Sequence, residues 1–366
     1  MTDINEKISA SLVLGSYLDT LGFCNGKWEF NFNLQLKTLK DAMVVNYEII
    51  NSFFSYGGFN IDISSWLASD DTIMMIATIN ACKKGGSMKN FMDEYIQILP
   101  QLEDKKRVSG ITTLNSLRIL AKHRDIKKIH YSETLGGNGA AMRTHYIGIH
   151  FKDIKKIIEV SIMASRLTHN YPIGFLGGMT TAVFTHYAIN NIEPWKWCDL
   201  LLKLEKDGII DNIMKNTDIY DNYIKDKDEF WEPWYKFKER RVDIFYTRTS
   251  EFIFGADRFN DLLNIFNEKN EINYNRFGGS GVECTIIALD SLLLSILPRN
   301  MKHELDLSNP KEYIYSWQNL VFLSTLHFGD NDTIGAIAGM WFGALRGYDG
   351  VSKKIINMLE FKEKLL

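Results

Sequence analysis

Apolar residues recur at three- and four-residue spacing along most of this chain, and no stretch alternates apolar with polar long enough to make a sheet. Residues 9–21 set the rhythm, with Leu12, Val13, Tyr17, Leu18 and Leu21 on a helical face, until Gly22 and Asn25-Gly26 break it. Residues 34–54 read as a second helix ended by Gly57-Gly58. Residues 71–81 read as a third, which closes on a cationic turn and a glycine stop, Lys83-Lys84-Gly85-Gly86. Shorter amphipathic helices are expected over 91–99 and 114–123. A clear helix covers 154–167, before Pro172. A small-residue helix suited to close packing covers 174–190, and a strongly apolar one with Asp290 inside it covers 283–297. After an apolar run over 317–328, Gly335, Ala336, Ala338, Gly339, Gly343 and Ala344 make the next helix small on most faces, as a buried central helix would be. Residues 203–241 carry the most charge, with Trp231, Trp234 and Tyr235 interleaved, and read as an outer helical layer or an insertion. No linker forces a boundary, so the pattern predicts an all-α fold, a single domain over residues 1–366.

Composition changes this picture little. The chain has 366 residues, 45% hydrophobic and 24% charged, which suits a soluble globular protein with a sizeable core. A net charge of −3 gives no electrostatic case for nucleic acid or an acidic membrane surface. Cys24, Cys82, Cys198 and Cys284 are dispersed with no CxxC spacing, which suits a reducing compartment and argues against a zinc ribbon or disulfide framework. No secretory leader and no apolar run of membrane-spanning length stands out, so a cytoplasmic protein is expected.

Chemistry concentrates at two echoing stretches. Ser69-Asp70-Asp71-Thr72 and Asp330-Asn331-Asp332-Thr333 each stand immediately before a long apolar helical run. Hydroxyls and acids at a helix start satisfy its free N–H groups and suit the positive end of its dipole, so each stretch alone reads as a cap. Two clusters of hard oxygen donors at matching positions also suit Mg²⁺ held between them. Asp19, inside the first helix, reads as a structural acid with a buried partner. Glu29, between aromatics after a turn, is either a surface residue or a carboxylate brought back over a site. The run Glu133-Thr134-Leu135-Gly136-Gly137-Asn138-Gly139 can present backbone N–H groups to a phosphate. It is neither a Walker A loop nor a dinucleotide fingerprint. His169 precedes a proline break, and residues 274–281 form a second aromatic-glycine loop.

In this order, SDDT, GGNGAAMR, a THxxP turn, an aromatic-GGS loop and GDNDT resemble the ADP-ribosylglycohydrolases. The branch most resembled is the ADP-ribosylarginine hydrolases, whose NGKWEF segment stands here as residues 25–30. The likeness runs from about residue 9 to about residue 348. It implies a helical domain with a binuclear Mg²⁺ cleft that takes the ADP-ribose moiety of modified proteins, acting as a monomer. The implied metal ligands are Ser69, Asp70, Asp71, Asp330, Asp332 and Thr333. Glu29 matches a mobile acid near the metals, and Gly136, Gly137, Asn138, Gly139, Met142 and Arg143 match a loop around the diphosphate and distal ribose. His169 matches a histidine beside the ribose and Tyr274 an adenine-stacking aromatic, with Phe277, Gly279 and Ser280 in the same substrate loop. Four departures stand out. Leu18 replaces a small residue, Asn138 a Cys, and Gly335 an Ala, while Val282-Glu283-Cys284-Thr285 replaces an HDAP-like segment close to the implied adenine pocket.

The implied reaction is hydrolysis of the N-glycosidic bond from ADP-ribose to arginine, through an oxocarbenium-like state. Asp70 or Asp71 would activate a water at the metal ions, and Glu29 would close over the scissile bond. Two alternatives stay open: cleavage of another ADP-ribosyl linkage (serine, poly(ADP-ribose) or O-acetyl-ADP-ribose), and a binding or structural homologue that has lost catalysis.

Overall fold

A computed structural model describes residues 3–29, 34–247, 255–267, 272–299, 307, 309 and 311–366. Phe30, the end of the NGKWEF segment, lies outside them. Four helices form the middle of the molecule: an N-terminal helix Ile4–Phe23, a small-residue helix Pro172–Ile189, an apolar helix Gly281–Leu294 and a late helix Asn331–Arg346. Each is buried on nearly every face. Such helices need apolar or small residues all round, and that is what these sequences supply. The N-terminal and late helices lie along each other, and the indole of Trp341 donates to the Thr181 carbonyl, tying the late helix to the small-residue one.

The first helix does not stop at Gly22. It runs through to Phe23 and ends where Cys24 and Asn25 take left-handed backbone angles, φ 46° and 54°. The 71–81 helix is observed as Asp70–Lys83, with its glycine stop intact at Gly85 and Gly86, φ 107° and 64°. The helix before Pro172 ends at Arg166, well short of the proline, and Pro172 opens the next helix from its first turn, where its missing N–H costs nothing. Among the described residues the all-α reading has one exception, an antiparallel ribbon pairing Ile296–Pro298 with Tyr313–Tyr315. Three residues per strand are too few to show an alternation.

The charged 203–241 segment is less peripheral than its composition suggests. Trp231 and Trp234 are buried, and Phe184, Trp197, Trp234 and Trp341 form one aromatic cluster with ring centroids 5.2–5.7 Å apart. Arg241 is buried too. It meets Asp290 at 2.7 Å, and Arg258 meets the same carboxylate at 2.6 Å from the other side. That shared anion locks the apolar helix to the neighbouring helix Gly255–Phe266. No helix among the described residues is long and apolar enough to cross a membrane.

Candidate functional site

Asp19 brings the two acidic stretches together. Its carboxylate accepts from the backbone N–H of Ser69 (3.2 Å) and of Thr72 (3.1 Å), and from the Thr72 hydroxyl, so the N-terminal helix caps the acid helix Asp70–Lys83. Ser69 caps the same turn by accepting from the Asp71 N–H at 3.1 Å. At the late helix Asp330 accepts from the Thr333 N–H at 3.3 Å. Capping geometry is therefore present at both stretches, beside a carboxylate cluster that could hold a metal ion. Carboxylate oxygens of Asp19, Asp71 and Asp332 all lie within 4.8 Å of one another, and Asp71 Oδ2 is buried without any hydrogen-bond partner. Asp19 thus has backbone amides, the Thr72 hydroxyl and two other carboxylates as its neighbours.

Packing like charges in a buried place is costly, and the protonation states show it. Burial first, then Asp332, push Asp19 up to about 7. Burial, Asp332 and Asp19 push Asp70 up to about 8. Asp71 and Asp332 are held well above the carboxylate range by burial and by their acidic neighbours. Asp330 is also raised by burial.

Glu29 is brought to this cluster by its own segment. The Asn25 side chain accepts from the Leu67 N–H at 2.8 Å, and the Asn331 side chain donates to the Trp28 carbonyl at 3.0 Å. The turn is thus fixed to the approach of one acid helix and to the start of the other. Glu29 is raised well above its ordinary value by burial and then by Asp332, Asp330, Asp70 and Asp19. The surface-residue reading of Glu29 does not hold.

The acids form one end of a cleft of about 500 Å³. Glycine loops make its walls. Gly137 bridges to Ser280, the Asn138 N–H donates to the Gly279 carbonyl (3.2 Å), and the Gly281 N–H donates to the Gly136 carbonyl (3.1 Å). The Asn138 side chain donates to the Gly278 carbonyl at 3.1 Å and to Asp330 at 2.5 Å, joining both loops to the acid end. Of the residues expected from sequence, Glu29, Asp70, Asp71, Gly136, Gly137, Asn138, Gly139, Met142, His169, Phe277, Gly279, Ser280, Asp330, Asp332 and Thr333 line this cleft. Ser69 is buried beneath it as a cap. Tyr274 is half-buried against the hydrophobic core, and Arg143 is fully buried; neither lines the cleft.

Asp19 and Glu283 are not site residues on the sequence reading, and neither is Glu133, which also lines the cleft. Asp19 lies on an apolar helix face, where only its charge marks it. Glu283 is the one residue of the altered 282–285 segment that lines the cleft. It accepts from the Gly278 N–H at 3.2 Å, while its own N–H donates to Ser280, and burial pushes it up to about 7. The pattern Ser280-x-x-Glu283 is a helix-start signature that could have placed it.

The family model for ADP-ribosylglycohydrolase matches residues 2–366. ADP-ribosylhydrolase ARH1 of Dictyostelium discoideum is 29% identical over 388 aligned positions, covering 98% of this chain and 91% of its own. A protein of Acanthamoeba polyphaga mimivirus named as an ADP-ribosyl glycohydrolase is 31% identical over 348 residues, 90% of this chain, and this chain spans 62% of that relative's length. ADP-ribosylhydrolase ARH3 of Xenopus tropicalis is 27% identical over 216 residues, 59% of this chain and 53% of its own. Among solved structures, a chain of an ADP-ribosylglycohydrolase-related protein complex superposes over all of this chain with a TM-score of 0.59 at 14% identity, a likeness of fold alone. With a family model spanning all but the first residue, and with that fold, the chain belongs to the ADP-ribosylglycohydrolase family, hydrolases of ADP-ribosyl linkages.

Proposed function

We propose that this chain hydrolyses the N-glycosidic bond between ADP-ribose and an arginine guanidinium in mono-ADP-ribosylated proteins, with two Mg²⁺ ions at the acid cluster. The observation that carries the reading is the placement of Glu29. Its NGKWEF segment marks the arginine branch in the sequence, and here Asn25 and Trp28 are pinned by hydrogen bonds while Glu29 lines the cleft with the acids. A relative 29% identical over nearly the whole chain, itself named an ADP-ribosylhydrolase, supports the same direction.

The donor set fits hard divalent cations: clustered carboxylates, with Asp71 Oδ2 buried and unpartnered. Asp70, Asp71, Asp330 and Asp332 would hold the ions with the Ser69 and Thr333 hydroxyls, and Asp19 joins them by proximity. When bound, the ions supply positive charge that orients the ribose hydroxyls and a water. The glycine loops offer N–H groups to the diphosphate. Asp70 or Asp71 takes a proton from the attacking water, and Glu29 gives one to the leaving nitrogen. Burial, more than the neighbouring acids, is what raises Glu29.

The test is release of ADP-ribose from an arginine-modified protein and from a serine-modified peptide, with Mg²⁺ and with EDTA. Asp70→Ala and Asp332→Ala run alongside. Mg²⁺-dependent release from arginine alone, lost in both variants, is expected. Release from serine would move the reading to another linkage, and ADP-ribose binding without release would make the chain a silent reader.

A further inference from the structure

Behind the first glycine loop, three side chains connect in series. Arg143 is fully buried, and among the described residues no carboxylate pairs with it. Its guanidinium lies over the Tyr95 ring at 4.8 Å and donates to the Gly139 carbonyl, to the Ala164 carbonyl at 3.3 Å and to Thr168 Oγ1 at 2.7 Å. Thr168 Oγ1 in turn lies 2.7 Å from His169 Nδ1. A guanidinium can only donate, so the threonine oxygen accepts from Arg143, and among the described residues His169 Nδ1 is the one acceptor within reach of its own hydrogen. Nδ1 is then an acceptor. Burial, and then Arg143, keep the imidazole neutral, so its one hydrogen resides on Nε2.

That nitrogen faces the cleft. His169 is 2% exposed yet lines the cavity, and among the described residues Nε2 has no hydrogen-bond partner. A side chain begun on Gly139 would stand 3.1 Å from Nε2, 2.8 Å from the ring Cε1 and 3.0 Å from Thr113 Oγ1. Glycine at 139 keeps the approach to this donor open.

We propose that Arg143 and Thr168 are positioning residues that fix His169 as a neutral Nε2–H donor aimed at an oxygen of the ligand in the cleft. For the identity of that ligand, ADP-ribose, the inference rests on the function proposed above; for the tautomer it does not. Arg143 thus acts from behind the wall, through Thr168, and does not touch the substrate.

The test reads the tautomer in the ligand-free protein by long-range ¹H–¹⁵N spectra of labelled histidine, with His169→Gln for assignment, and reads ADP-ribose affinity by calorimetry. The expected wild-type signature is a protonated Nε2 and a bare Nδ1. Thr168→Val should lose that single-tautomer signature and weaken ADP-ribose binding roughly tenfold, about the worth of one hydrogen bond. Arg143→Met frees the threonine hydrogen to turn away and should shift both readouts in the same direction. Thr168→Ser should restore both, which a merely structural role for the methyl would not do. A wild-type spectrum with hydrogen on Nδ1 overturns the proposal, as does Thr168→Val with tautomer and affinity unchanged. Wild-type protein that shows the signature but binds no ADP-ribose overturns the ligand, and with it the proposed function, while the tautomer stands on its spectrum.

Discussion

Asp71 shows most sharply what the site costs the fold. Its carboxylate is buried among Asp19, Asp70, Asp330 and Asp332, and one oxygen has no partner. In metal-free protein at neutral pH, folding must either protonate it or leave an uncompensated charge. Asp71→Asn keeps the shape, removes the charge and supplies an amide that can donate to the adjacent acids. We expect its Tm in EDTA at pH 8 to rise by a few degrees, at roughly 2–4 °C per kcal/mol. We expect activity and most of the Mg²⁺-induced rise in Tm to be lost. A lower Tm in EDTA, measured by calorimetry, would show that the cluster is not strained. Residue types at the two acid stretches were legible in the sequence, because caps and clustered acids both leave a local mark. Asp19 was not, since its partnership with Asp71 and Asp332 spans the chain and exists only after folding. Arg143 illustrates the opposite limit: a glycine-rich loop announces itself, but whether a side chain within it faces ligand or core is set by packing that sequence does not display.

Helix against helix, two departures from the family pattern turn out to face each other. A side chain begun on Gly335 of the late helix would stand 3.3 Å from Leu18 Cβ and 2.3 Å from the Thr325 methyl. The two positions are thus adjacent, but the contact is through the Leu18 carbonyl (3.1 Å) and Cβ, which a small residue at 18 would supply as well. Gly335→Ala should destabilise by about 1–3 kcal/mol through overpacking. The tightest contact is the Thr325 methyl, while the Thr325 hydroxyl bonds the Val321 carbonyl. Thr325→Ser removes only the methyl, so in that background Gly335→Ala should lose most of its cost, a coupling that a denaturation double-mutant cycle reads directly. Strictly additive effects would refute this. Long helices were legible here through their apolar spacing, and the helix stops through glycine and proline. The two-stranded ribbon was not, because three-residue strands carry no period, nor was the burial of Arg241, whose partner Asp290 lies 49 positions away.

Over the whole molecule, the acid cluster should govern how stability depends on pH. Asp19 and Asp70, at about 7 and about 8, and Asp71, Asp332 and Glu29, each held well above the ordinary carboxylate range, are raised above the values near 4 of an unfolded chain. A raised carboxylate favours the folded state fully below the unfolded pKa, and that contribution is lost as pH climbs through the folded pKa. Other acids, buried at Asp290 and exposed at Asp218 and Glu360, work in the opposite sense. For Asp218, Asp290 and Glu360, burial pushes upward, but Arg166, the Arg241–Arg258 pair and Arg107 more than offset it. Those lowered groups lose their contribution below about pH 4, outside the window of the cluster. In EDTA, then, Tm should fall steadily from pH 5 to pH 8.5. Divalent cations bind the ionised acids and release their protons, so saturating Mg²⁺ should flatten or reverse that slope, and Mg²⁺ affinity should rise across the same window. Thermal melts at matched ionic strength, with and without Mg²⁺, decide it: an EDTA curve that stays level or rises with pH would mean the carboxylates do not compete for protons inside the fold.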